Sequence, residues 1–113
     1  MGKIKMWSNK YHCFVATLNG LLYSEDNGKT WNKSNINTGD FECLITIGNT
    51  VIAGSYSDKG IYYSEDNGHT WQLSNITSGN FLCLTVIGST VIASSNSYKD
   101  LYYSEDNGKT WKK

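Results

Sequence analysis

The string Tyr-Ser-Glu-Asp-Asn-Gly occurs three times, at residues 23–28, 63–68 and 103–108. Each copy runs on through Lys or His and then Thr to a tryptophan, Trp31, Trp71 or Trp111. The copies lie 40 residues apart both times, and residues 41–73 laid over residues 81–113 give 21 identities in 33 positions. A fixed period of about 20–50 residues marks an architecture in which one supersecondary unit stacks on copies of itself. The fold is therefore one unit solved once, plus whatever happens at its two ends. The first unit diverges: Phe14-Val15-Ala16 aligns with Val51-Ile52-Ala53, and the segment before Gly20 is three residues shorter than the one before Gly60.

Within a unit the apolar pattern is short and either alternating or continuous, which reads as strand rather than helix. In the second unit, residues 41–47 predict one strand, Gly48-Asn49 a turn, 50–55 a second strand and 56–59 a polar loop. Residues 61–64 predict a third strand, Asp66-Asn67-Gly68 a tight turn and 70–74 a fourth strand, with 75–80 leading out. Asn-Gly between strands signals a hairpin because both residues tolerate positive φ. In the first unit, strands are expected at 3–8, 11–17, 21–24 and 30–34; in the third, 110–113 is the last. Four antiparallel strands in about 40 residues is the size of a propeller blade. The expected fold is all-β: a single domain over 1–113, with blades at about 1–37, 38–77 and 78–113.

A blade is covered on both faces by its neighbours. The inner-strand positions fit, with Phe41, Cys43 and Ile47 expected on one side and Leu44 on the other; Phe81, Cys83, Ile87, Leu82, Leu84 and Val86 repeat the pattern. Three blades alone would leave two bare end sheets, each beyond the few hundred Å² of contiguous apolar surface a soluble monomer tolerates. Closed propellers have about 4–8 blades, and six is the only multiple of three in that range. The expectation is a homodimer of half-rings with a two-fold axis down the channel. The rival readings are a fragment of a longer chain and a trimer with nine blades.

The segment Ser-x-Asp-x-Gly-x-Thr-Trp resembles the Asp-box, or bacterial neuraminidase repeat, of sialidases, some glucan hydrolases, sortilin-like receptors and a photosystem assembly factor. The match covers Ser24, Asp26, Gly28 and Trp31; Ser64, Asp66, Gly68 and Trp71; and Ser104, Asp106, Gly108 and Trp111. The resemblance implies a structural hairpin between third and fourth strands, on the side opposite a family active site. The chemistry agrees. A short carboxylate accepts bonds from its own turn, the glycine supplies a conformation other residues resist, and the tryptophan packs beneath. Six of the ten acids lie in the boxes, but on separate blades with local partners. No metal and no cofactor are therefore expected.

Family sialidases hold the substrate carboxylate with three arginines, and this chain has none; the resemblance stops short of that activity. Glycoside hydrolysis in general needs two carboxyl groups flanking one bond, and outside the boxes only Asp40, Glu42, Asp58 and Asp100 remain. No catalytic residue is expected; the remote alternative is a glycoside hydrolase-like enzyme in which two of these carboxylates, from facing blades, meet across the ring. His69 replaces the Lys of the other boxes and is expected to be a solvated turn residue. His12 and Cys13, adjacent on a strand, point to opposite faces, while Cys43 and Cys83 read as buried small apolar residues. Ten Lys balance ten acids, so a nucleic-acid partner is not expected. No apolar run nears the roughly 20 residues of a bilayer span, and no signal peptide is visible. Three cysteines do not make a disulfide framework. A soluble cytosolic chain without a membrane partner is expected, and the two Asn-x-Ser/Thr triplets, from Asn32 and Asn75, read as chance.

Function is expected at the end opposite the boxes, where the units differ most; variable loops on a rigid scaffold are where function concentrates. The candidate ligand-binding residues are Asn37, Asp40, Tyr56, Asp58, Lys59, Asn80, Asn96, Tyr98, Lys99 and Asp100. Tyr offers a stacking ring and a hydroxyl, Asn and Asp read hydroxyls, and Lys takes one negative charge. That mixture suits a glycan or another small polar ligand in a lectin-like site, presented twice by a dimer. The alternative is a protein partner bound through Tyr56 and Tyr98, which are also hot-spot residue types.

Overall fold

The computed structural model describes residues 5–8, 13–17, 19–95 and 100–113. Among the described residues, eleven strands form three antiparallel sheets in chain order. Sheet 1 holds β1 (Lys5–Ser8), β2 (Cys13–Thr17), β3 (Gly20–Ser24) and β4 (Asn32–Lys33). Sheet 2 holds β5 (Phe41–Ile47), β6 (Thr50–Ser55), β7 (Ile61–Ser64) and β8 (Gln72–Leu73). Sheet 3 holds β9 (Phe81–Ile87), β10 (Thr90–Ser95) and β11 (Leu101–Ser104), with one bridge between Tyr103 and Lys112 where a fourth strand was expected. Among the described residues there is no helix, and so none long and apolar enough to cross a membrane.

In sheets 2 and 3 the fourth strand is shorter than the apolar pattern predicts because the tryptophan before it is held elsewhere. The Trp71 N–H and C=O bond the Asn35 side chain rather than β7, so ladder pairing starts only at Gln72. The Asn-Gly turns match expectation: Asn27, Asn67 and Asn107 all have φ of 62°, and the glycine after each is also positive.

Each sheet packs face to face on the next, and β5 lies against both β1 and β9. Between sheets 1 and 2 the core is Ala16, Leu21, Phe41, Leu44, Val51, Ala53 and Trp71. Between sheets 2 and 3 it is Cys43, Ile52 and Ile61 against Phe81, Leu84, Val91, Ala93 and Trp111. One face assignment is thus corrected: Phe41 shares a side with Leu44, not with Cys43. The register shifts between Phe41, opposite Ser55, and Cys43, opposite Gly54, leaving Glu42 as the extra residue of a bulge. A bulge of one residue reverses the alternation of side chains beyond it.

The pairing also corrects the alignment of the first unit. Phe14 lies opposite Tyr23 as Ile52 lies opposite Tyr63, so Phe14 corresponds to Ile52 and not to Val51.

The two core clusters account for both faces of sheet 2 and for one face of sheet 3. On the other face of sheet 3, Ile87 is 63% exposed and Leu101 61%, whereas Ile61, the counterpart of Leu101, is 0% exposed beneath sheet 3. Cys83 is likewise exposed where Cys43 is buried, so the expectation that both are core residues holds for Cys43 alone.

Candidate functional site

At one end of the sheets sit the three boxes, each joining the third strand to the fourth. Ser24 Oγ donates to Asp26 Oδ1 at 2.8 Å and accepts the Gly28 N–H at 2.8 Å. Asp26 Oδ1 accepts the Thr30 N–H at 2.8 Å, and Oδ2 accepts the Thr30 hydroxyl at 2.6 Å. The other two boxes repeat every bond. Each serine is buried; its hydroxyl, bonded twice, carries no free polar group into the core. The bonds from the Thr30 hydroxyl and N–H, and then from Ser24, lower the Asp26 pKa to about 2. Burial pushes Asp66 and Asp106 up, but the bonds from Thr70 and Ser64, and from Thr110 and Ser104, leave both below the ordinary carboxylate value. These carboxylates are committed to their own turns. Among the described residues no group of three or more His, Cys, Asp and Glu side chains could hold a metal ion.

The boxes also touch one another, which the sequence reading missed. His69 is half-buried rather than solvated: its ring stacks on Tyr23 with centroids 4.1 Å apart, and Nε2 lies 3.4 Å from Glu25 Oε2. One sheet further on, Lys109 Nζ meets Glu65 Oε2 at 3.0 Å. In the second and third boxes the residue after the glycine therefore reaches back to the glutamate of the preceding box. The signal was present in the 40-residue spacing of Glu25, Glu65 and Glu105 and of Lys29, His69 and Lys109, but no local pattern relates one box to the next. Beside the third box, Tyr103, Glu105, Asp106, Thr110 and Lys112 line a hollow.

At the opposite end lie the loops in which ligand contacts were expected. The structure brings Asp40, Asp58, Lys59 and Asn80 into one cluster and ties them to the loops. Asp58 N–H donates to Asn80 Oδ1 at 2.7 Å, and Asp58 Oδ1 accepts the Gly79 N–H at 2.6 Å. Lys59 Nζ donates to Thr38 Oγ1 at 3.1 Å, and the Asp40 N–H donates to Ser57 Oγ at 3.1 Å. Tyr56 donates its N–H to the Asp40 carbonyl at 2.7 Å and leaves its ring exposed, as Asn37 is. Asp100 stands apart, on sheet 3, paired with Lys113 at 3.1 Å. Asn96, Tyr98 and Lys99 lie outside the described residues, as does His12.

Comparison with known protein families matches the BNR/Asp-box repeat at residues 22–33, 62–73 and 102–113. A search of curated proteins finds no match. Each matched segment coincides with a box whose serine, aspartate, glycine and threonine close on one another as described above, one per sheet. The chain carries three Asp-box repeats.

Proposed function

We propose that this is a non-catalytic binding protein in which two copies close a six-bladed propeller, and that the loop end recognises a glycan or another small polar ligand in a lectin-like manner. The observation that carries the reading is the loop cluster itself. Asp58, Asn80, Lys59 and Asp40 lock the link before β5, the β6–β7 loop and the link before β9 into one rim, with the Tyr56 ring left on its surface. In this reading the four polar residues hold the rim in shape, and Tyr56 and Asn37 are the groups offered outward. A preformed polar rim with an exposed aromatic ring binds with little ordering cost. Ring closure would repeat the rim twice about one axis, which suits a repeating target.

Glycan-array binding of the purified chain, with nucleotides as a second panel, tests the proposal. The expected result is a discrete set of glycan or nucleotide signals that disappears in Tyr56→Ala. Silence on both panels, with a protein recovered by pull-down and lost in the Tyr56→Ala, Tyr98→Ala double variant, would replace the lectin-like reading with a protein-interaction module.

A further inference from the structure

We infer that the hollow beside the third box is a socket for Lys29 of a second copy of this chain. The inference rests on the ring closure proposed above and specifies its seam. In both internal seams the corresponding socket is filled. Tyr23 and Glu25 of sheet 1 hold His69 of sheet 2, and Glu65 of sheet 2, beside Tyr63, holds Lys109 of sheet 3. On sheet 3 the equivalent pair is Tyr103 and Glu105, and among the described residues Glu105 makes no ion pair. The matching cation is Lys29, which is exposed and likewise makes no ion pair among the described residues.

The surfaces around these two residues are complementary in the same way. In the seam between sheets 2 and 3, Gly108 sits so close to Ile52 that an added Cβ would lie 2.6 Å from Ile52 Cδ1. Gly28, its counterpart, would meet only its own Trp31 ring, at 3.7 Å, and Ile92, the counterpart of Ile52, is only half-buried. Trp71 and Trp111 are 4% and 3% exposed, each beneath the neighbouring sheet, while Trp31 is left half-buried. Leu101 and Ile87 complete the bare face of sheet 3. The two open faces thus carry the two halves of a seam that the chain already builds twice internally. Because the halves differ, the contact is head-to-tail, and two copies make it twice to close a ring.

Lys112 is the one group in the socket that argues against a cation, since it stands where sheet 2 has Gln72 and sheet 1 has Asn32. Glu105 and Asp106 outnumber it, so the hollow still carries net negative charge.

Sedimentation velocity of the full chain tests the assignment, with Lys29→Glu, Glu105→Lys, the double exchange and Lys112→Gln. Both exchanged residues are exposed, and circular dichroism checks that each variant stays folded. The wild type is expected at twice 12.6 kDa. Each single exchange places like charges at both seams and weakens dimerisation on the order of tenfold or more, and the double exchange recovers most of that loss. Lys112→Gln tightens it a few-fold. If the wild type dimerises and either single exchange leaves it unaffected, or the double fails to recover, the socket is not where Lys29 goes, while closure by another contact stands. A wild type that stays at 12.6 kDa near ~100 µM, where even weak dimers form, overturns the ring closure and the socket together.

Discussion

Asn75 grips the backbone of Trp111 at both its polar groups: its Nδ2 donates to the Trp111 carbonyl at 3.0 Å, and its Oδ1 accepts the Trp111 N–H at 2.7 Å. Asn35 holds Trp71 in the same way, with distances of 3.0 and 2.7 Å. An amide is the only neutral side chain that can donate and accept in one plane at this spacing, which explains why the residue leaving each of these units is Asn. The clamp fixes one sheet to the next at the outer edge.

Asn75→Ala removes both bonds and strands a partly buried carbonyl and N–H. We expect a loss of about 2 kcal/mol, read as a lower urea midpoint. Asn75→Asp keeps the acceptor but presents an oxygen to the Trp111 carbonyl, so it is expected to recover none of the loss above pH 5.

The boxes make stability depend on acid. Asp26 has a folded-state pKa of about 2 against an ordinary value of 3.8, and those of Asp66 and Asp106 are lowered too. A depressed carboxylate pKa stabilises the fold above the unfolded value, and that contribution is lost as pH falls through the folded value. Urea midpoints are therefore expected to hold steady above about pH 5 and to fall from just under pH 4 towards pH 2. In Asp66→Asn the midpoint is lower at neutral pH and the acid slope shallower; an unchanged slope would mean that the boxes do not carry it.

Gly108 and Gly28 have nearly the same φ, 87° and 86°, so alanine strains both by a similar amount, on the order of 1 kcal/mol. Only Gly108 has Ile52 in the way. Gly108→Ala is expected to lower the melting temperature of the chain more than Gly28→Ala does. If the seam inferred above forms, Gly28→Ala additionally weakens self-association, because Ile92 of the second copy would meet the new methyl group.

Cys83 reports the inferred seam chemically, with Cys43, its counterpart in the internal seam between sheets 2 and 3, as the control. Cys43 is buried, with Sγ 3.6 Å from the Phe81 carbonyl, and Cys83 is exposed. Alkylation followed by peptide mapping is expected to label Cys83 and spare Cys43 at high dilution. Raising protein concentration should slow the labelling of Cys83 if a second copy covers sheet 3, and leave it unchanged if none does.

What the chain's own sequence determined is everything that neighbours along the chain can enforce. The 40-residue period, the strand-turn-strand order and the Asn-Gly turns with positive φ are all legible. So are the boxes, because Ser24, Asp26 and Thr30 satisfy one another within six residues. The loop cluster around Asp58 was legible as a place but not as a set of bonds: Asn80 reaches Asp58 across 22 positions, and nothing local pairs them. Tertiary structure decided the rest. The bulge at Glu42 set which face Phe41 covers, and packing took His69 out of solvent and laid it on Tyr23. Cys43 and Cys83 occupy equivalent places in matching strands, yet one is buried and one exposed. Burial depends on whether another sheet lies over a residue, and a repeat cannot state from within one copy whether a next copy follows.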